Sequence, residues 1–107
     1  MTKITFYKKE NVFTGFEVEG HTGKDDYGKD LLCCQISTVA QLAVVAVQEV
    51  AKKNAFVEIA DGYLKISLSQ RDAEDNNMRF IFDTCYKSFK SIIQDEEKFA
   101  KLEVKNV

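Results

Sequence analysis

The 107-residue sequence has no proline, no tryptophan, one histidine and three cysteines, and its 15 Lys and Arg nearly balance its 17 Asp and Glu. Each shortage excludes something. A formal net charge of −2 leaves no positive excess to drive nucleic-acid binding, so no direct nucleic-acid partner is expected. No run approaches the roughly 18 apolar residues of a membrane span, so no membrane contact is expected. The start, Met1-Thr2-Lys3-Ile4-Thr5-Phe6-Tyr7-Lys8-Lys9, lacks the apolar centre of a secretory signal. The three cysteines are an odd number, and adjacent Cys33 and Cys34 are poorly placed to bond each other. Reduced thiols in a cytoplasmic protein fit that usage. There is no Cys-x-x-Cys pair, so His21 and the cysteines do not form a zinc set and no metal is expected. Gly23 and Gly28 match no phosphate-binding pattern and have two aspartates between them, so no cofactor is expected either.

What is present is a foldable chain. A hydrophobic content of 45% excludes low-complexity disorder, and the length suits one domain over residues 1–107. A core of this size is modest, so a partner subunit would add stability. Ile4 to Tyr7 and Val12 to Gly20 alternate as strands around a charged turn, with Phe16 and Val18 on one face and Glu17 and Glu19 on the other. A polar, glycine-containing segment, Thr22 to Lys29, reads as a mobile loop. Asp30 is a good N-cap for a helix from about Leu31 to Lys53, with Ile36, Val39, Ala40, Ala43, Ala46, Val47 and Val50 on its core side. That helix is apolar on more than one side, which points to subunit packing. Phe56 to Ile59 and Tyr63 to Leu68 flank Asp61-Gly62, a type I′ hairpin signal. A second helix is expected from about Ala73 to Gln94, and Phe99 to Val104 suits a last short strand. The order β-β-α-β-β-α predicts an α+β fold, a two-layer α/β sandwich with a mostly antiparallel sheet and two helices.

The chemistry-bearing residues converge on one stretch. His21 closes a strand, and twelve residues later Cys33 falls in the first turn of the helix capped by Asp30. Helix-start N–H groups and a nearby imidazole both lower a thiol pKa, and the thiolate is the nucleophile. Taken singly, each residue also has an ordinary reading: a polar residue at a strand end, and a small hydrophobe in an apolar helix. Cys85, between Phe82 and Phe89 on the second helix's stripe, is assigned to the core. Cys33 lies at the edge of the first helix's apolar face and Cys34 about 100° round from it, and the position at the helix start does not separate them.

Taken as one string, Gly20-His21-Thr22-Gly23 followed by Tyr27-Gly28-Lys29-Asp30-Leu31-Leu32-Cys33-Cys34-Gln35-Ile36-Ser37 resembles the ribosomal-processing cysteine proteases of the Prp family. That family pairs a Gly-His-x-Gly motif with Gly-x-Asp-aliphatic-aliphatic-Cys-Ala-Ala-aliphatic-Ser. The resemblance implies Cys33 as nucleophile and His21 as general base, with Gly20, Asp30 and Ser37 as supporting motif positions. The loop carrying Gly23, Tyr27 and Gly28 would cover the substrate. Cys34-Gln35 stands where the family has two alanines, which sets a second thiol beside the nucleophile. The implied activity is removal of a short N-terminal extension from bacterial large-subunit ribosomal protein twenty-seven, after an apolar, Phe-containing sequence. The family's homodimers suit the many-sided apolar helix. The mechanism that follows is acyl transfer through a Cys33 thioester, with N–H groups at the helix start as oxyanion donors. No third member of a triad is assigned. Two other readings are a non-catalytic ribosome-associated protein-binding module and a redox-sensing thiol pair at Cys33-Cys34.

Overall fold

The computed structural model describes residues 1–26 and 30–107. Strands β1 (Thr2–Lys9) and β2 (Val12–Glu19) form the first hairpin. Its two turn residues, Glu10 and Asn11, both have positive φ (50° and 67°), the sign pattern of a type I′ turn. Asn tolerates this region, and Glu10 is held by a 2.6 Å hydrogen bond donated by Gln70 to its carboxylate. The second hairpin, β3 (Phe56–Ala60) and β4 (Tyr63–Ser67), turns differently. Only Gly62 (φ +67°) is left-handed there, which is the sign pattern of type II and not the expected type I′.

Helix α1 (Leu31–Val44) continues without a break into a π-helical turn, Val45–Val50. The expected end at Lys53 falls short by one turn: Ala51 N–H bonds back to Ala46, and Lys52 enters the left-handed region. The change to i→i+5 bonding rotates the last turn, so Val50, expected on the core side, is exposed. A short helix outside the expectation, α2 (Gln70–Ala73), capped by Ser69, precedes the expected second helix, which runs as α3 (Asn76–Ile92), capped by Asp75. Two N-caps six residues apart make two starts, so the fold has three helices and not two. The last strand, β5, runs over Ala100–Asn106.

The sheet order is β3-β4-β2-β1-β5, antiparallel except for the β1–β5 pair. The fold is therefore α+β with a mostly antiparallel sheet. One sheet face carries Ile4, Phe6, Phe16, Val18, Leu64 and Ile66 into the core. Opposite them lie Leu32, Ile36, Ala40, Ala43 and Val47 of the long helix and Met78, Phe82, Cys85 and Phe89 of α3. Phe6 stacks on Phe16 at 4.9 Å, and Phe16 meets the rings of Phe89 and Phe82 edge-on. Each such fully buried side chain contributes about 1.5–3 kcal/mol. By length and composition Leu31–Val50 also has what a bilayer-crossing helix needs, but its buried row is seated against the sheet and α3. This seating holds the start of α1 beside the end of β2, where the candidate site forms.

Candidate active site

His21 follows β2 through Gly20, whose φ of +91° turns the chain out of the sheet. Gly20 donates its N–H to the Gly62 carbonyl at 2.8 Å, and its own carbonyl accepts from the Thr2 hydroxyl at 3.3 Å. A Cβ on Gly20 would lie 2.5 Å from the Met1 carbonyl oxygen, so the strand exit has room only for glycine. These contacts give Gly20 the role of setting the strand exit.

Cys33 is presented by the capped end of α1. One oxygen of Asp30 accepts the Cys33 N–H at 2.9 Å, as the sequence predicts for an N-cap. The other oxygen accepts the Thr22 hydroxyl and the N–H groups of Lys24 (3.0 Å) and Asp25 (3.4 Å). The Thr22 hydroxyl, then the Cys33 N–H, hold the Asp30 carboxyl below its ordinary value. Asp30 thus ties the residue after His21 to the helix turn that carries Cys33. Thr22 is buried, and Lys24 reaches across to pair with Glu96 at 2.5 Å. The first half of the segment expected to be mobile is therefore anchored. Gly23 has open space around it, while Tyr27 and Gly28, the other expected substrate-loop residues, lie outside the described residues.

The helix capped at Asp30 lays Cys33, Ser37 and Gln41 along one side at four-residue spacing, and all three line a groove of about 400 Å³. Gln41 donates to the Ser37 hydroxyl at 2.8 Å. The facing wall is His21 with Gly20, Thr2 and the β3–β4 turn, Ile59 to Tyr63. Cys33 is half-buried and Cys34 exposed, and the groove includes Cys33 and not Cys34. Cys85 is buried among core side chains, as expected, and that burial pushes its thiol up to about 11. Asp61 brings a carboxylate oxygen to 3.9 Å from His21 Nε2. Among the described residues no group of three His, Cys, Asp or Glu could hold a metal ion.

Sequence reasoning missed Gln41, Asp61 and Gly62. Gln41 had a readable signal, since it lies eight residues beyond Cys33 on the same helix face. Asp61 and Gly62 reach the site through strand pairing alone: Glu19 opposite Tyr63 brings Gly20 against Gly62. One expectation changes. Cys33 N–H is taken by Asp30 and Cys34 N–H by the Asp30 carbonyl, so neither is a spare oxyanion donor.

A thiol and an imidazole that line one groove beside a capped helix start are the groups that thiol-based peptide hydrolysis uses. The chain matches the family model of cysteine protease Prp over residues 1–101 and belongs to that family. It is a cysteine protease by that membership. Its fold is similar to the crystal structure of SMU.848 from Streptococcus mutans, at 23% identity and a TM-score of 0.87, covering 100% of this chain and 96% of that one. It is also similar to the essential ribosomal processing protease Prp from S. aureus in complex with a covalently linked product peptide. There the identity is 21% and the TM-score 0.89, over 98% of this chain and all of that one. The same S. aureus protease with a substrate peptide aligns at 19% identity and a TM-score of 0.81, with the same coverage. No curated protein matches this chain in sequence.

Proposed function

We propose that this protein is a ribosomal-processing endopeptidase. It removes the short N-terminal extension of bacterial large-subunit ribosomal protein twenty-seven, with Cys33 as nucleophile and His21 as general base. The observation that carries the reading is the shared groove: Cys33 and His21 face one cavity, on two elements that Asp30 ties together. The S. aureus relatives, with a covalently linked product peptide and a substrate peptide, support a peptide as occupant.

In this mechanism His21 accepts the Cys33 thiol proton and the sulfur attacks the scissile carbonyl. The C–N bond then breaks as His21 returns the proton to the leaving amine, leaving a thioester on Cys33. Water, losing a proton to His21, attacks the thioester and releases the carboxylate and the free thiol. Oxyanion stabilisation falls to N–H groups other than those of Cys33 and Cys34. Ser37, oriented by Gln41, lines the groove one helical turn on from Cys33 and positions the bound peptide.

The working form is proposed to be a cytoplasmic homodimer. Leu42 and Val45 are exposed on the long helix, at 62% and 49%, and a second copy would cover them. The test is incubation of the extended ribosomal protein with wild type, Cys33→Ala and Cys34→Ala, followed by mass spectrometry. Loss of the extension is expected with wild type and Cys34→Ala and not with Cys33→Ala. Undiminished cutting by Cys33→Ala, or none by wild type, overturns the reading.

A further inference from the structure

The β3–β4 turn contributes more than a wall. A Cβ built on Gly62 would meet three atoms of the His21 ring: Nε2 at 2.8 Å, Cδ2 at 3.3 Å and Cε1 at 3.4 Å. The Nε2 edge of the imidazole therefore rests directly on the glycine backbone, in a space that any side chain would occupy. The same residue accepts the Gly20 N–H at 2.8 Å, so turn and strand exit are bonded one residue before the ring. The Asp61 carboxylate stands 3.9 Å from the same Nε2. These contacts come from one two-residue turn and bear on one side chain.

We propose that the Asp61-Gly62 turn is the positioning element for His21: Gly62 seats the ring, and Asp61 orients it through Nε2. The proposal rests on His21 being the base, as above. Neither residue reacts. They act by restricting where the imidazole sits relative to Cys33, and misplacing a reacting group by about 1 Å can cost on the order of a hundredfold in rate. Asp61 is the weaker of the two, because its side chain is 88% exposed and solvent screens such a pair.

Gly62 also serves the turn, at φ +67°, and the test must separate the two roles. Gly62→Ala and Gly62→Asn put the same Cβ against the ring, but Asn accepts the left-handed backbone more readily. Both variants are expected to lose more than tenfold in kcat on the extended ribosomal protein, with Gly62→Asn melting closer to wild type. Activity that follows melting temperature, with Gly62→Asn near wild type, overturns the seat. In a His21→Ala background, Gly62→Asn is expected to cause no further loss in the rate of Cys33 alkylation. A full additional loss there also overturns it. Asp61→Ala is expected to lower kcat about threefold with KM unchanged, the scale of an exposed pair, and an unchanged kcat removes Asp61 from the role.

Wild type supplies a measurement that needs no variant. The chain has a single histidine, so in untagged protein every imidazole proton signal is His21. Nuclear Overhauser contacts from the ring protons to the Gly62 Hα protons are expected, and their absence overturns the seat. A wild type that neither cleaves the ribosomal protein nor alkylates at Cys33 brings down the protease reading itself, whatever the ring contacts.

Discussion

Gly20→Ala is the sharpest test of how the site is held, because two separate penalties meet there. The backbone at φ +91° disfavours any L side chain, at roughly 1–2 kcal/mol. The added Cβ would also stand 2.5 Å from the Met1 carbonyl oxygen, which is backbone and cannot swing aside. Relief requires moving residue 20 or the Met1–Thr2 segment. That strains the Gly20 N–H bond to Gly62 or the Thr2 hydroxyl bond to Gly20, each worth about 1 kcal/mol. The sum is about 2–3 kcal/mol, which for a domain of this size lowers Tm by roughly 10 °C or more. Gly23→Ala is the matched control: φ is +69°, but nothing lies within 4 Å of the new Cβ. It carries the left-handed penalty alone and should lose about half as much or less. Melting is followed by circular dichroism and kcat/KM is measured in parallel, where Gly20→Ala should also be the more impaired. Equal Tm losses in the two variants would refute the steric part of the reasoning.

Three further outcomes are expected. Cys85, with its thiol pushed up from 9.0 to about 11 by burial, holds about a hundredfold less thiolate at neutral pH than an ordinary cysteine. Native protein treated with iodoacetamide should therefore gain two adducts quickly and the third only on unfolding, read by intact mass. Asp30 has its pKa lowered from 3.8 by the bonds it accepts from Thr22 and Cys33. Its stabilisation is thus fully present above about 3.8 and is lost as pH falls through the lower folded value. The Tm gap between wild type and Asp30→Asn should be widest near neutrality and close at strongly acid pH. Sedimentation should give twice the chain mass for wild type, and the chain mass for a Leu42→Asp, Val45→Asp variant that keeps its helical circular dichroism.

The parts of the fold set by local chemistry were readable. Asp30 three residues before Cys33 is a capping pattern, and the structure uses it as one. The alternation of Phe16 and Val18 with Glu17 and Glu19 marks the buried face of β2, and Cys85 lies in the stripe that seats α3. What depended on tertiary context was not readable. Asp-Gly is the stronger local signal for a type I′ turn, yet Glu10 and Asn11 adopt that sign pattern, with Gln70 from a distant helix holding Glu10. Helix α2 spans only Gln70–Ala73, too short to show a periodic stripe, so the expected second helix begins at Ala73 and misses the Ser69 cap ahead of it. At the site, the Cys33-Ser37-Gln41 row follows from helical spacing. The Asp61-Gly62 turn reaches His21 only because β2 pairs with β4 in one register.

The Cys33–His21 pairing is tested most directly by the rate of iodoacetamide alkylation at each cysteine, resolved by peptide mass mapping at pH 7 in wild type and His21→Ala. Cys33 should react faster than Cys34 in wild type and slow more than tenfold in His21→Ala, while Cys34 keeps its rate. An unchanged Cys33 rate, or a loss confined to Cys34, would contradict the pairing.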